Sequence, residues 1–494
     1  MITIIVKENA YFDSITLMKV SQELRKIEAL QEVQVAMGTD HNKSLLKDSN
    51  LWTEEVITAK PNDLCIAFSS KDGHNEKEVL KVVEEALYGN KNKGESDLTI
   101  KDSPKTIADA VAQNPSINLA LISVPGEYAT YEAKCALDKN INVMMFSDNV
   151  SIADERKLKE LAAKKNLLMM GPDCGTAIIN GVGLGFSNKV RSGNIGIVGA
   201  SGTGIQEISI LLDRIGLGIS QAIGTGGRDL NKEIGALSMK QGLKLLASDD
   251  QTDIIAIVSK PPDAEVARDI LQVASLIKKP VVVCFLGHDN ESNIMSDNVC
   301  FSDSLTQTVT EIARIDGCSH NLFDTFKIPK YSLEKDQKKI FGLFCGGTLC
   351  SEAQNIIGLN HLCIDFGEDE YTKGKPHPMI DPTTRNEAFL EVANKEETAI
   401  ILFDVVLGFG SHENPALNLS PIIQKINKSK KIIFIASVCG SEDDPQCYSI
   451  QSDKLRSLGV IVAPSNAIAA EVAKTIINNE SLEQHVAKYN SSRT

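Results

Sequence analysis

Two glycine-containing turns have the residue types and the position of an anion-binding site. Each follows a short run of apolar residues and precedes a helical pattern. Small residues let a ligand approach the backbone, and the first N–H groups of a helix have no partner within the helix. These donors, with the positive end of the helix dipole, favour an anion, most naturally phosphate. A tight turn that binds nothing is the alternative for each turn alone. The candidate phosphate-binding residues are Ser201, Gly202, Thr203 and Gly204 in the first turn, and Gly346, Gly347 and Thr348 in the second.

Two further loops carry groups that can bind oxyanions. The first is the glycine turn Gly224–Asp229, with Gly226, Gly227 and Arg228 as candidates, and the second is the segment 366–385. Arg385 could bind a carboxylate or phosphate through two parallel hydrogen bonds. A helix start is the alternative for the end of this segment, with Asp381 as N-cap and Pro382 as first helical residue. The oxyanion-binding candidates of the second loop are Lys373, Lys375, His377 and Arg385.

Composition excludes several other classes of function. The formal net charge of −14 argues against a nucleic-acid partner, because such binding requires a basic face. The eleven cysteines include no Cys-x-x-Cys pair, which favours reduced thiols in a cytoplasmic protein over disulfides or a metal site. No apolar stretch is long enough for a membrane span, and the sequence contains no nucleophile elbow, zinc-protease motif or P-loop.

The elements that must position these turns alternate between strands and helices. The β-branched runs are apolar on both faces, as in a parallel sheet covered by helices on both sides, so the sequence predicts doubly wound α/β domains. The predicted buried strands are 119–124, 195–198, 254–258, 281–286, 400–403 and 432–435.

An internal repeat relates the two glycine turns. Ile195–Glu207 aligns with Ile340–Glu352, each with a glutamate four residues after the Gly-Thr pair, and at the same offset 254–258 falls on 399–403. Residues ~192–318 and ~338–480 therefore read as duplicated flavodoxin-like domains. A pseudo-twofold arrangement of such domains could direct both helix starts at one site.

The remaining segments give a four-domain organisation. Residues 1 to ~90 show a β-α-β-β-α order, which predicts a small ferredoxin-like module, followed by a polar linker. The predicted domains are a ferredoxin-like module (1–96), a partial Rossmann-type CoA-binding-like domain (97–190), and two ligase-like domains (191–320 and 338–494).

These motifs resemble those of a known family. Gly193–Thr203 with Gly224–Asp229 looks like the ligase domain of the succinyl-CoA synthetase α subunit, and Met170–Cys174 looks like the end of its CoA-binding domain. Residues ~338–480 resemble the carboxy-terminal ligase domain of the β subunit. Nearly the whole chain, including Tyr11–Ser14 and His377–Pro382, resembles the FdrA family of acyl-CoA-synthetase-like proteins.

The resemblance implies a cytoplasmic subunit of oxamate carbamoyltransferase in anaerobic allantoin breakdown. That enzyme converts oxalurate and phosphate to oxamate and carbamoyl phosphate. Two further subunits, a functionally linked carbamate kinase and homo-oligomerisation are implied, and no cofactor is required. Thr203, Thr348, Arg385 and His377 are the catalytic candidates.

Two other functions stay open at this point. An acid–CoA ligase that binds CoA is one, although Gly287-His288 stands where the synthetases carry a Gly-His-Ala-Gly phosphohistidine loop. A scaffold with a vestigial phosphate site is the other.

Overall fold

The computed structural model describes residues 2–12, 14–27, 29–70, 76–88, 104–287, 296–319, 333–372 and 375–479. The chain divides into two compact units. The first contains Met1–Lys105 together with Asp369–Asp381, and the second contains Thr106–Glu368 together with Pro382–Thr494.

The first unit is built on a three-stranded antiparallel sheet in the order β1-β3-β2. Its central strand β3 alternates between two cores: Ile66 and Phe68 pack with α1 and α4, whereas Cys65 and Ala67 pack with α2 and α3. The predicted β-α-β-β-α order is confirmed, with two additional short helices between β2 and β3. The elements are β1 (Ile2–Lys7), α1 (Ser14–Arg25), β2 (Leu30–Met37), α2 (Asp40–Asp48), α3 (Glu54–Thr58), β3 (Leu64–Ser70) and α4 (Glu76–Tyr88).

The second unit begins with a small parallel sheet in the order β4-β5-β6. Alanines of α6 and the apolar side of α7 pack against it around Val143 and Met145. This is the predicted partial Rossmann-type arrangement. The elements are α5 (Ile107–Gln113), β4 (Leu119–Ile122), α6 (Gly126–Asp138), β5 (Asn142–Met145), α7 (Ile152–Lys164) and β6 (Met169–Met170).

A seven-stranded sheet follows, in the order β13-β12-β11-β9-β10-β7-β8. Strands β9 to β13 are parallel, and the hairpin β7-β8 is added antiparallel to β10. The elements are β7 (Thr176–Ile179), β8 (Val182–Gly185), β9 (Ser192–Gly199), α8 (Gly202–Arg214), β10 (Ile219–Gly224), α9 (Leu237–Ser248), β11 (Ile254–Ser259), α10 (Ala264–Ser275), β12 (Val281–Phe285), β13 (Val299–Phe301) and α11 (Leu305–Asp316).

The last sheet is parallel, in the order β15-β14-β16-β17-β18. Numbered from its own first strand, this order is 2-1-3-4-5, identical to that of β10-β9-β11-β12-β13 and typical of a flavodoxin-like sheet. The predicted pair of flavodoxin-like sheets is therefore confirmed. The elements are β14 (Lys339–Phe344), α12 (Gly347–Ile357), β15 (Leu362–Asp365), α13 (Asp369–Thr372, in the first unit), α14 (Thr383–Asn394), β16 (Thr398–Val406), α15 (Pro415–Asn427), β17 (Ile433–Cys439), α16 (Tyr448–Ser457), β18 (Ile461–Ala463) and α17 (Asn466–Asn478).

Candidate functional site

The starts of helices α8 and α12 face each other. The Ser201 Oγ and Thr348 Oγ1 atoms are hydrogen-bonded at 2.5 Å. A Cβ on Gly346 would lie only 2.9 Å from the Thr203 methyl group, so glycine at this position allows the two turns to meet. The two predicted Gly-Thr turns thus come together at equivalent ends of duplicated sheets.

The first turn is shaped by capping and close packing. Ser201 is the N-cap of α8, and its hydroxyl accepts a hydrogen bond from the Gly204 amide at 2.9 Å. A Cβ on Gly202 would lie 3.0 Å from Thr176 Oγ1, and one on Gly204 would lie 2.9 Å from the Val258 side chain. The remaining first-turn N–H groups, those of Gly202 and Thr203, have no acceptor within the helix.

The second turn already holds a carboxylate of the protein itself. The amides of Cys345 and Gly346 each donate to one oxygen of Asp404 at 2.7 Å. Asp404 is fully buried, and burial raises its pKa, against the opposing effects of Arg385 and the two amides. The expectation that the Gly346 amide binds a substrate anion is therefore corrected, since an internal anion occupies it.

Arg385 is the internal partner of that carboxylate. Its side chain is buried, and Nη1 donates to the Asp404 carbonyl at 2.8 Å and lies 3.4 Å from Asp404 Oδ1. The same nitrogen contacts Cys345 Sγ at 2.9 Å. The expected role of Arg385 in binding a substrate carboxylate is corrected for this reason: the protein's own groups engage the guanidinium.

Two charged residues that the sequence analysis did not select lie beside the start of α12. A Cβ on Gly347 would collide with Asp365 Oδ2, and Lys260 Nζ lies 3.2 Å from the same point. Lys260 is exposed, whereas Asp365 is partly buried and accepts a hydrogen bond from the Gly367 amide at 2.9 Å. Burial raises the pKa of Asp365 to about 6, and the charge of Lys260 opposes that shift. Lys260 follows β11 and Asp365 ends β15, so both lie at the carboxyl ends of parallel strands, a signal that could have found them.

The glycine turn after β10 is occupied by an ion-pair network. Arg228 pairs with Glu155 at 2.9 Å and donates to the Val150 carbonyl at 2.8 Å. Fully buried Lys159 joins Glu155 at 2.9 Å to Asp229 at 2.8 Å. The Arg228 guanidinium thus pairs with a buried carboxylate, and its expected ligand role stays a prediction.

Close packing requires glycine at one of the two glycine positions of that turn. Gly226 has a φ of +85°, and a Cβ there would collide with the Pro172 carbonyl. A Cβ on Gly227 would be in ordinary contact with Asp173 Oδ2 at 3.9 Å. Both positions therefore approach the turn that follows β6, and a ligand contact at either glycine stays a prediction.

The cationic loop of the second half is distributed over both units. Lys373 lies outside the described residues. Lys375 and His377 belong to the first unit, whereas Arg385 belongs to the second. Burial lowers the pKa of His377 to about 4, and its Nδ1 accepts a hydrogen bond from the Met379 amide at 3.2 Å. His377 is therefore neutral near pH 7, and its expected roles as an oxyanion ligand and catalytic residue stay predictions.

The segment before Arg385 starts a helix differently from the capping alternative. Helix α14 begins at Thr383 with Pro382 in the N-cap position, and no side chain caps it there. Asp381 instead pairs with Arg25 of the same unit at 2.6 Å.

The glutamates of the repeat form crossed helix caps. Glu207, on α8, accepts a hydrogen bond from the Asn466 amide at the start of α17 at 2.9 Å. Glu352, on α12, accepts one from the Leu305 amide at the start of α11 at 2.7 Å and a second from the Asn466 side chain at 2.8 Å. Each half thus supplies the acceptor for the final helix of the other half.

The titration of Glu352 should make the stability of the protein depend measurably on pH. Burial raises its pKa to about 7, above the ordinary value of about 4.3, so the native state holds this proton more tightly than the unfolded state. The stability that Glu352 contributes is present at low pH and is lost as the pH rises toward about 7. Glutamine does not titrate, so the deficit in Tm of Glu352→Gln relative to the wild type should be smaller at pH 8 than at pH 5.5. The exposed substitution Glu391→Gln, measured by the same calorimetry, should show equal differences at both pH values.

Comparison with known proteins matches three parts of the chain to family models. The model of the AllF heavy metal-associated domain matches residues 1–103, that of the CoA binding domain matches 190–287, and that of CoA-ligase matches 343–476. The CoA binding model therefore falls on the first of the duplicated sheets.

Individual relatives agree with these models. The "Uncharacterized protein YahF" of Escherichia coli is 41% identical, covering 96% of this chain and 98% of that protein. The succinate–CoA ligase α subunit of Aquifex aeolicus is 27% identical over 39% of this chain and 65% of its own length. The succinate–CoA ligase α subunit 2 of Archaeoglobus fulgidus is 30% identical over 33% of this chain and 57% of its own length. This chain therefore spans about three fifths of the length of these two relatives.

A solved structure is also similar in part. The acetyl-coenzyme A synthetase 1 of Ca. Korarchaeum cryptofilum is 14% identical, covering 76% of this chain and 86% of that one, with a TM-score of 0.34. Among the described residues, no helix is both long and apolar enough to cross a membrane.

Proposed function

Since this chain belongs to the FdrA family of acyl-CoA-synthetase-like proteins, with YahF as a full-length relative, we propose that it is the phosphate-binding subunit of an oxamate carbamoyltransferase. The reaction joins oxalurate and phosphate and yields oxamate and carbamoyl phosphate, in anaerobic allantoin breakdown. The observation that supports this proposal most directly is the meeting of two helix starts beside Lys260.

The chemistry requires an anion held next to a carbonyl group. Phosphate is itself the nucleophile, so no serine or cysteine nucleophile is needed. Catalysis then depends on positioning phosphate beside the carbamoyl carbon and stabilising the oxyanion that develops there. As written, the reaction consumes no cofactor.

We assign the phosphate to the helix starts rather than to the whole of both turns. Asp404 uses the amides of Cys345 and Gly346, which leaves the first-turn amides of α8 at Gly202 and Thr203 and those of α12 at Gly347 and Thr348. Both helices direct positive dipole ends at this region, and Lys260 adds a full charge. This charge also offsets repulsion from Asp365 and Asp404.

A second candidate function is an acid–CoA ligase. It is favoured by the matches to the CoA binding and CoA-ligase models. In this alternative a phosphorylated histidine would carry the phosphoryl group, and His288, which follows β12, lies outside the described residues. Labelled phosphate retained on a histidine would favour the ligase over the carbamoyltransferase.

The decisive experiment reconstitutes the enzyme. The chain is purified with the two proposed partner subunits, and carbamoyl phosphate formation from oxalurate and phosphate is measured with a carbamate kinase that couples product to ATP. Activity that requires this chain supports the proposal. Full activity of the partners without it would make the chain a scaffold, and formation of an acyl-CoA from an acid, CoA and ATP would establish the ligase.

A further inference from the structure

Phosphorolysis of a ureido group needs a proton at the leaving nitrogen. A phosphate oxygen bonds to the carbamoyl carbon, the bond from that carbon to the oxamate nitrogen breaks, and its electron pair goes to the nitrogen. An unprotonated amide is a poor leaving group, so a positioned acid accelerates this step. Hydrogen phosphate carries the one proton that the products require on nitrogen, and a side chain placed between the two groups can relay it.

We propose that Asp365 is this proton relay, an assignment that rests on the function proposed above. Its carboxylic acid gives a proton to the departing oxamate nitrogen and then takes one from the hydroxyl group of the bound phosphate. Atoms and charge balance without any further reactant.

The position of Asp365 carries the proposal. It ends β15, at the carboxyl edge of its sheet, and its Oδ2 lies so close to Gly347 that a Cβ there would collide with it. The same edge holds Lys260 Nζ, 3.2 Å from that Cβ position, and the start of α12. A phosphate bound by Lys260 and the α12 amides is therefore within reach of Asp365.

The two carboxyl groups near this site, those of Asp365 and Asp404, differ in burial and in hydrogen bonding. Asp404 is fully buried, and each of its oxygens accepts a backbone amide. Asp365 is partly exposed, and its Oδ1 accepts the Gly367 amide while Oδ2 faces the helix start. Asp365 is thus the carboxyl group that a substrate can approach.

The electrostatic surroundings agree with an acid that cycles near neutral pH. Burial, together with the charges of Glu368 and Asp404, raises the pKa of Asp365 to about 6, against the opposing effects of the Gly367 amide and Lys260. The thiols of Cys345 and Cys350 also face this carboxyl group, and burial raises the pKa of Cys345 beyond the physiological range. The pKa of Asp365 therefore lies close to the neutral range in which the reaction would run.

The test uses Asp365→Asn in the full complex with two carbamoyl donors. Asparagine keeps an acceptor for the Gly367 amide and removes a charge that repels the anion. We therefore expect a folded protein that binds labelled phosphate at least as tightly as the wild type. With oxalurate, kcat should fall by about 10²- to 10⁴-fold, and the fall in rate above about pH 6 should disappear. With p-nitrophenyl carbamate, whose leaving group needs no proton, the variant should match the wild type within about threefold, since general-acid catalysis is then dispensable.

The control and the contrary outcomes are distinct. Asp336→Asn, an exposed position before β14 at the opposite edge of the same sheet, should leave both donors unaffected. Equal losses with both donors would assign Asp365 to positioning, and an unchanged kcat with oxalurate would remove it from the reaction; either result overturns the relay. A wild-type complex that cannot use oxalurate at all would instead overturn the proposed function.

Discussion

Replacing Lys260 with alanine should raise the KM for phosphate of the reconstituted enzyme by about 10- to 100-fold, since a hydrogen bond to a charged group contributes roughly 1.5–3 kcal/mol. The side chain is exposed and lies beside the start of α12, so its removal leaves the core intact. A charge reversal, Lys260→Glu, should abolish measurable saturation by phosphate. Initial rates at varied phosphate and fixed oxalurate measure both effects.

A matched lysine separates local from general electrostatics. Lys278 is exposed and lies before β12, at the amino edge of the sheet whose carboxyl edge carries Lys260. Lys278→Ala removes the same charge and should leave the KM for phosphate unchanged. Equal KM values for Lys260→Ala and the wild type would remove phosphate from this site.

Replacing Arg385 with leucine should strongly lower the free energy of unfolding. The substitution leaves the buried Asp404 carboxylate without its cation, and removing one partner of a buried ion pair costs about 3–5 kcal/mol. We expect the Tm of the unfolding transition that includes the sheet of strands β14 to β18 to fall by on the order of 10 °C. Scanning calorimetry measures this shift.

A double substitution tests the cause of that loss. Arg385→Leu with Asp404→Asn removes the charge together with its partner, while asparagine still provides one acceptor for the amides of Cys345 and Gly346. The double variant should therefore be more stable than Arg385→Leu alone. A double variant less stable than the single one would show that packing, and not the buried charge, dominates at this position.

The repeat in the sequence predicted the architecture because it reports on local patterns that a fold must preserve. The apolar runs and the two Gly-Thr turns specify parallel strands followed by helices, and the identical offsets of Glu207 and Glu352 indicate duplication. The strand order of both sheets bears out this prediction. In contrast, helix α2 was missed because Asp40–Asp48 is mostly polar and its cap, Thr39, resembles a turn residue.

The site was less predictable because it depends on contacts between distant parts of the chain. The sequence around Arg385 does not indicate whether this arginine binds a ligand or a carboxylate of the protein itself. Its partner, Asp404, lies on β16 and cannot be identified from the local sequence. Lys260 and Asp365 are single polar residues at the ends of two strands, 105 residues apart in the sequence. They lie close together because the carboxyl edges of their two sheets face each other. The spacing of residues along one segment carries no record of such meetings.

The crossed caps of Glu207 and Glu352 link the stabilities of the two duplicated halves. A half produced alone would expose the amide at the start of its last helix, Leu305 or Asn466, to solvent or leave it unsatisfied. Each half therefore caps the last helix of the other half. If the two halves were encoded by separate genes, these two caps would form only after the chains had associated.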